Sequence, residues 1–216
     1  TAADAASSVT PLLNNIENLS VTYTDTTPND GDLLTVNLAE ATSIASISNI
    51  TSNDNASFTN VGSVVHYTAK SAQGTQTIEY DLAALAGTAD NMTISVKGTN
   101  NTTITLDDDN PANTSVLETV TVESLSVANT LAALNTALVN TTTLAVTGDK
   151  KLTITAALDA DIATIDASGS SGGLTLTNAP ASLAPTIIGS SGADAITVGT
   201  ANINISGGAG NDTVTA

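Results

Sequence analysis

From Leu144 to Val214 the chain repeats one short pattern: apolar residues alternate with small polar ones for a few positions, and then the chain turns. Leu144-Ala145-Val146, Leu152-Thr153-Ile154, Leu174-Thr175-Leu176 and Ile203-Asn204-Ile205 all keep this period of two, as does a strand with one buried face. The runs centre on Val146, Ile154, Ile165, Leu176, Ile187, Ile196, Ile205 and Val214, spaced 8, 11, 11, 11, 9, 9 and 9 residues apart. Gly148-Asp149, Ala167 to Gly173, Asn178-Ala179-Pro180 and Gly189-Ser190 lie between them, compositions that bend tightly or reach positive φ. Short rungs at near-constant spacing predict a coil of parallel strands over residues 141–216. A β-sandwich, the alternative for threonine-rich strands, seldom holds one spacing through so many.

The pattern changes upstream. Val127, Leu131, Leu134 and Leu138 lie four, three and four apart, which predicts one short amphipathic helix over Leu125 to Val139, capped at Asn129 and ended at Asn140. A shorter helical candidate runs from Leu82 to Leu85, closed by Gly87. Strand-like runs cover 33–38, 43–50, 61–69, 75–81, 92–96 and 102–106. Their unequal spacing fits either a distorted solenoid with insertions or a separate small β domain. Ile16 to Val21 echoes Val122 to Val127 at an offset of 106. The expected fold class is all-β, a parallel β-solenoid or β-roll with this helix. Its expected divisions are 1–106 (irregular β), 107–140 (polar loop, strand and helical segment) and 141–216 (regular solenoid). Asp107 to Asn113 reads as a boundary or as a long surface loop.

Composition supports a folded, thin-cored chain. Hydrophobic residues make up 41%, too many for disorder, and the 38 threonines favour strands. With one phenylalanine and no tryptophan, the interior must be layers of small aliphatic side chains. Against 21 acidic residues stand four lysines, Lys70, Lys97, Lys150 and Lys151, giving a formal charge of −17. That excludes a phosphate-neutralising footprint and hence nucleic acid as a partner, and it disfavours an anionic membrane surface. No run of 18 apolar residues exists to span a bilayer. The absence of cysteine removes disulfides and thiolate metal sites. Thr1 to Ser8 lacks the basic and apolar regions of a signal peptide, and the chain is expected to be a piece of something longer.

The charge acquires a chemistry in the glycine-rich turns. Gly189-Ser190-Ser191-Gly192-Ala193-Asp194 returns 18 residues later as Gly207-Gly208-Ala209-Gly210-Asn211-Asp212. A coil with two nine-residue half-turns stacks these loops on one edge, where glycines aim carbonyls and the aspartates supply charged oxygen. Gly189, Ser191, Gly192, Asp194, Gly207, Ala209, Gly210 and Asp212 are therefore candidate ligands for a hard cation, calcium first. The intervening turn has Ala201 and Ile203 at the equivalent positions, so the opposite edge is incomplete. Asp30 and Asp32, in the loop from Asp25, and Asp107 with Asp109 are further candidates, each balanced against a solvated acidic turn. Catalytic signals are few: His66 is the sole histidine and reads as a strand surface residue. No metalloprotease histidine pair or serine elbow occurs, so no enzyme activity is expected.

Gly207-Gly208-Ala209-Gly210-Asn211-Asp212-Thr213-Val214 resembles a full repeats-in-toxin nonapeptide, and Gly189 to Ile196 departs from it only at Ser190. In that family the loops bind calcium and the chain folds as a parallel β-roll after type I secretion. Gly208, Gly210 and Asp212, like Gly192 and Asp194, match the ligand-loop positions. The Thr/Ala/Asn-rich, cysteine-free body, with Thr164 to Gly169 and Gly172 to Thr177, is similar to surface-layer proteins of Gram-negative bacteria. The resemblance implies a calcium-dependent subunit at the bacterial cell surface, extracellular, whose partners are copies of itself in a lattice and cell-surface polysaccharide. A calcium-stabilised adhesin or matrix protein, and the β-roll tail of a secreted enzyme, are the alternatives.

Overall fold

The computed structural model describes residues 6–28, 30–109, 115–136, 139–180, 185–199 and 202–216. Its strands wind into two sheets, odd strands in one and even strands in the other. The ten-stranded sheet contains β1 (Ser7–Val9), β3 (Leu33–Asn37), β5 (Asn55–Val61), β7 (Thr75–Tyr80), β9 (Asn100–Asp108), β11 (Asn129–Asn135), β13 (Leu152–Ile154), β15 (Leu174–Leu176), β17 (Ala195–Thr197) and β19 (Thr213–Thr215). The nine-stranded sheet contains β2 (Asn18–Val21), β4 (Ser46–Ile50), β6 (His66–Lys70), β8 (Asn91–Lys97), β10 (Thr119–Leu125), β12 (Thr143–Gly148), β14 (Thr164–Ser170), β16 (Thr186–Ile188) and β18 (Asn204–Ser206). Every pairing within them is parallel, as in β8–β10 and β16–β18. The fold is a parallel β-solenoid, and the irregular N-terminal strands are rungs of the same coil as the regular C-terminal ones.

Parallel stacking puts like above like. Leu19, Ile47, Tyr67, Ile94 and Val122 form one inward column of the nine-stranded sheet, and Val36, Phe58, Ile78 and Leu106 one of the other. Phe58 and Tyr67, from opposite sheets, meet edge-on at 5.9 Å between ring centroids, closing the gap with a favoured aromatic geometry. The coil is not uniform. Asn100 faces Thr130, 30 residues on, Asn129 faces Leu152 at 23, and Ala195 faces Thr213 at 18.

The helix expected over Leu125 to Val139 does not form. Ser126 turns the corner after β10 with φ +71°, and the chain continues as strand β11. Asn129 does cap backbone, but at a corner: its Nδ2 donates to the carbonyls of Leu125 (3.1 Å) and Val127 (2.7 Å). Register shifts around Leu131 and Ala133 bulge the strand against β9, so Leu131 and Leu134, three apart, both point inward. A bulged strand thus mimics helical spacing; Leu138 lies outside the described residues. Leu82–Leu85 does form one turn of 3-10 helix.

One corner of the solenoid is a column of left-handed residues: Thr51 (φ 54°), Ser71 (φ 51°), Gly98 (φ 74°) and Ser126 (φ 71°) follow β4, β6, β8 and β10. Amides pass up this column, Thr51 N to Lys70 O (2.7 Å) and Ser71 N to Lys97 O (2.9 Å). The same sharp bend, repeated, returns the chain to the opposite sheet.

Candidate metal-binding edges

The turn Gly189–Asp194 joins β16 to β17 and Gly207–Asp212 joins β18 to β19, so both lie on the edge where the chain crosses from the nine- to the ten-stranded sheet. They stack in register: Gly189 N donates to Ser206 O (2.7 Å), Ala209 N to Ser190 O (3.1 Å) and Thr213 N to Asp194 O (2.9 Å). Ser191 N reaches down to Ser170 O at 3.0 Å. Gly208 (φ 87°) and Gly210 (φ 109°) are left-handed, and a Cβ at Gly208 would overlap the Ser190 carbonyl. The Asp212 carboxylate occupies the space a Cβ would need at Gly207.

The two aspartates are spent differently. Asp194 is 3% exposed, and its carboxylate accepts from Leu174 N (2.6 Å), Ser190 N (2.8 Å) and Ser190 Oγ (2.8 Å). Asp212 is exposed and its Oδ1 accepts from Asp194 N at 3.0 Å. Each carboxylate therefore grips an amide of the coil beneath it, Asp212 on Asp194 and Asp194 on Leu174. Such charge-assisted bonds are about twice as strong as neutral ones. They leave Asp212 as the carboxylate with lone pairs facing solvent.

A second acidic cluster was only half visible in sequence. Asp25 and Asp30, in the loop between β2 and β3, meet Asp54, in the corner between β4 and β5, with one oxygen from each lying within 4.8 Å of the others. Such a span fits around one divalent cation. Asp25 and Asp54 are 6% and 1% exposed, and two ionised carboxylates at that separation repel by about 3.5 kcal/mol at an effective dielectric of ~20. No lysine pairs with any of the three among the described residues. Asp32 stands beside them, its amide donating to Asp30 Oδ1 at 3.4 Å. Asp54 escaped sequence reasoning because it is a coil away. Its clue was the register itself: Asn18 faces Ser46, 28 residues on, which carries Asp25 to the neighbourhood of Asp54.

Asp107, near the end of β9, and Asp109, just past it, lie beside Glu79 and Asp81. Asp107 Oδ1 accepts its neighbour's amide at 2.8 Å, and Asp109 Oδ1 accepts Leu82 N at 2.9 Å. Burial, then the charges of Asp107, Asp109 and Asp81, push the Glu79 carboxyl up. Among the described residues this group does not converge as Asp25, Asp30 and Asp54 do. His66 is exposed on β6, with Nε2 2.8 Å from Ser95 Oγ, which donates to Glu123 Oε2 at 2.7 Å. The serine proton is thus committed to the carboxylate, one rung further along the outer face. No family model, no curated protein and no solved structure matches this chain.

Proposed function

We propose that this chain is a non-catalytic structural subunit of a calcium-dependent bacterial surface layer, exported by a type I route and assembled outside the cell. A β-solenoid scaffold by itself serves coats, adhesins and enzymes alike. The observation that carries the choice is the stacked glycine–aspartate edge on a coil of charge −17. Self-repulsion of that size opposes close packing of copies. Cations at Asp212 and along the acidic edges remove it, and one ion shared by two chains holds them together. Folding and assembly then answer to the same ion, since cations that bind only ordered loops stabilise them by mass action.

Electron microscopy of the full-length protein tests this. Ordered two-dimensional arrays are expected in millimolar calcium, dissolving with chelator. A protein that stays monomeric by light scattering with and without calcium refutes the reading. Tight, specific capture of one glycan by that monomer would identify an adhesin instead.

A further inference from the structure

The first coils of the solenoid carry a site of their own, remote in sequence from the glycine–aspartate turns. We infer that Asp25, Asp30 and Asp54 bind one hard divalent cation, calcium in a calcium-rich medium, and that this ion staples the loop after β2 to the corner before β5. The inference is independent of the surface-layer reading and stands even if the C-terminal turns bind nothing.

Convergence of three carboxylates alone would not suffice, because acidic turns are common. The second observation is Asp25 Oδ2, an inaccessible oxygen with no hydrogen-bond donor. Buried carboxylate oxygens ordinarily find a donor or a counter-ion. The Asp25 carboxylate is held in this position by the Thr27 amide, which donates to Oδ1 at 3.0 Å, and Asn53 fixes the backbone that carries it. Asp25 N donates to Asn53 Oδ1 at 2.8 Å, and Asn53 Nδ2 donates to Asp25 O at 2.9 Å.

The remaining oxygens are held in place around that one. Thr27 N donates to Asp25 Oδ1 (3.0 Å), Thr27 Oγ1 to Asp30 Oδ2 (2.6 Å), Asn55 N to Asp54 Oδ1 (2.7 Å) and Asp30 N to Asp54 Oδ2 (3.0 Å). Asp30 Oδ2 and both Asp54 oxygens accept one bond each and keep a lone pair. Asp25 Oδ1 is also 3.4 Å from Thr27 Oγ1, which leaves Oδ2 as the Asp25 ligand atom. The donor set is all oxygen and formally trianionic, which selects a hard cation over zinc or copper. Exposed Asp30 leaves an entry path and room for waters to complete the six to eight ligands calcium takes. The residues span successive coils, so the ion adds a charged tie to the Asp25–Asn53 and Asp30–Asp54 hydrogen bonds that already join the two corners.

Amide NMR and hydrogen exchange on the full chain, titrated with calcium chloride after chelation, decide the matter. The amides of Thr27, Asp30 and Asn55 should shift and gain protection with one common affinity. In Asp25→Asn and Asp30→Asn that affinity should fall at least about tenfold, while any response at Leu174 and Asp194 persists; Asp212→Asn should leave the Thr27, Asp30 and Asn55 response intact. Because the Asp30 side chain is exposed, Asp30→Asn decides if Asp25→Asn fails to fold. Amides unmoved by about 10 mM calcium, above the range of weak extracellular sites, would overturn the inference. So would a response that survives in the folded variants, or an Asp25 carboxyl carbon that reports a proton at neutral pH whatever the calcium.

Discussion

Truncating Asp194 isolates the energy of the carboxylate ladder. In Asp194→Ala the buried amides of Leu174 and Ser190 lose their acceptor, while Ser190 Oγ can turn to Gly192 O, 3.3 Å away. A buried donor left unsatisfied costs about 1–3 kcal/mol, so two amides predict a loss near 4 kcal/mol. Asp212→Ala removes one acceptor at an exposed position, where water substitutes, and should cost about 1 kcal/mol or less. Solenoid stability is largely nearest-neighbour, so the damage should be local to β15, β17 and β19. The assay is native-state hydrogen exchange in chelator, read at Leu174, Ser190 and, as a distant control, Ile104. Equal effects from the two substitutions, or unchanged protection of Leu174 and Ser190 in Asp194→Ala, would refute the ladder.

Three further outcomes follow from the corners and the acidic patch. Thr51 holds a β-branched side chain at φ 54°, so Thr51→Gly should gain about 0.5–1 kcal/mol after the chain-entropy cost of glycine, seen as a thermal midpoint higher by roughly 1–4 °C. Gly208→Ala should unfold the last coils, because its Cβ meets the Ser190 carbonyl, whereas Gly199→Ala, with open space around it, should melt like the parent. The raised Glu79 carboxyl means that its charged form disfavours the folded state. Its contribution is fully present below the unfolded value, near 4.5, and is lost as pH rises through the higher folded value. Glu79→Gln should therefore stabilise at pH ~7 and match the parent near pH ~3 in denaturant titrations.

The sequence disclosed what parallel stacking repeats and hid what a corner does once. The period of two from Leu144 onward is legible because Leu152 and Ile154 in β13, and Leu174 and Leu176 in β15, are buried on either side of a half-buried threonine. In β11 a bulge shifts the period from two to three, so Leu131 and Leu134 read as helix. Thr51 reads as a strand former yet turns a left-handed corner, a conformation set by the coil and not by local preference. The echo of Ile16–Val21 in Val122–Val127 does fall in one sheet, but the inward column stacks Leu19 in line with Val122, three residues out of the echo's register. Asp30 was visible from its loop, whereas Asp54 needed the coil length, which varies along the chain.

The glycine–aspartate turns occur where the core is thinnest. Gln76, Ile78 and Tyr80 point inward from β7, and Met92, Ile94 and Val96 from β8. In the 18-residue coil at the C-terminal end, β16 and β17 bury only Ile187 and Ile196. Hydrophobic burial in such a coil is a fraction of that in the earlier ones, while the backbone to be ordered is only about a third shorter than in the 28-residue register of β8 and β10. Amide-gripping carboxylates supply part of the difference. A cation bound at a hundred times its dissociation constant adds about 2.7 kcal/mol, as much as burying one more large aliphatic side chain. Calcium dependence should accordingly be graded along the coil. In chelator, protection of β17 and β19 amides should fall while β7, β9 and β11, remote from both acidic sites, keep theirs, and calcium should restore the C-terminal rungs. Uniform loss along all ten strands of that sheet would show that core thickness does not set where the ion matters.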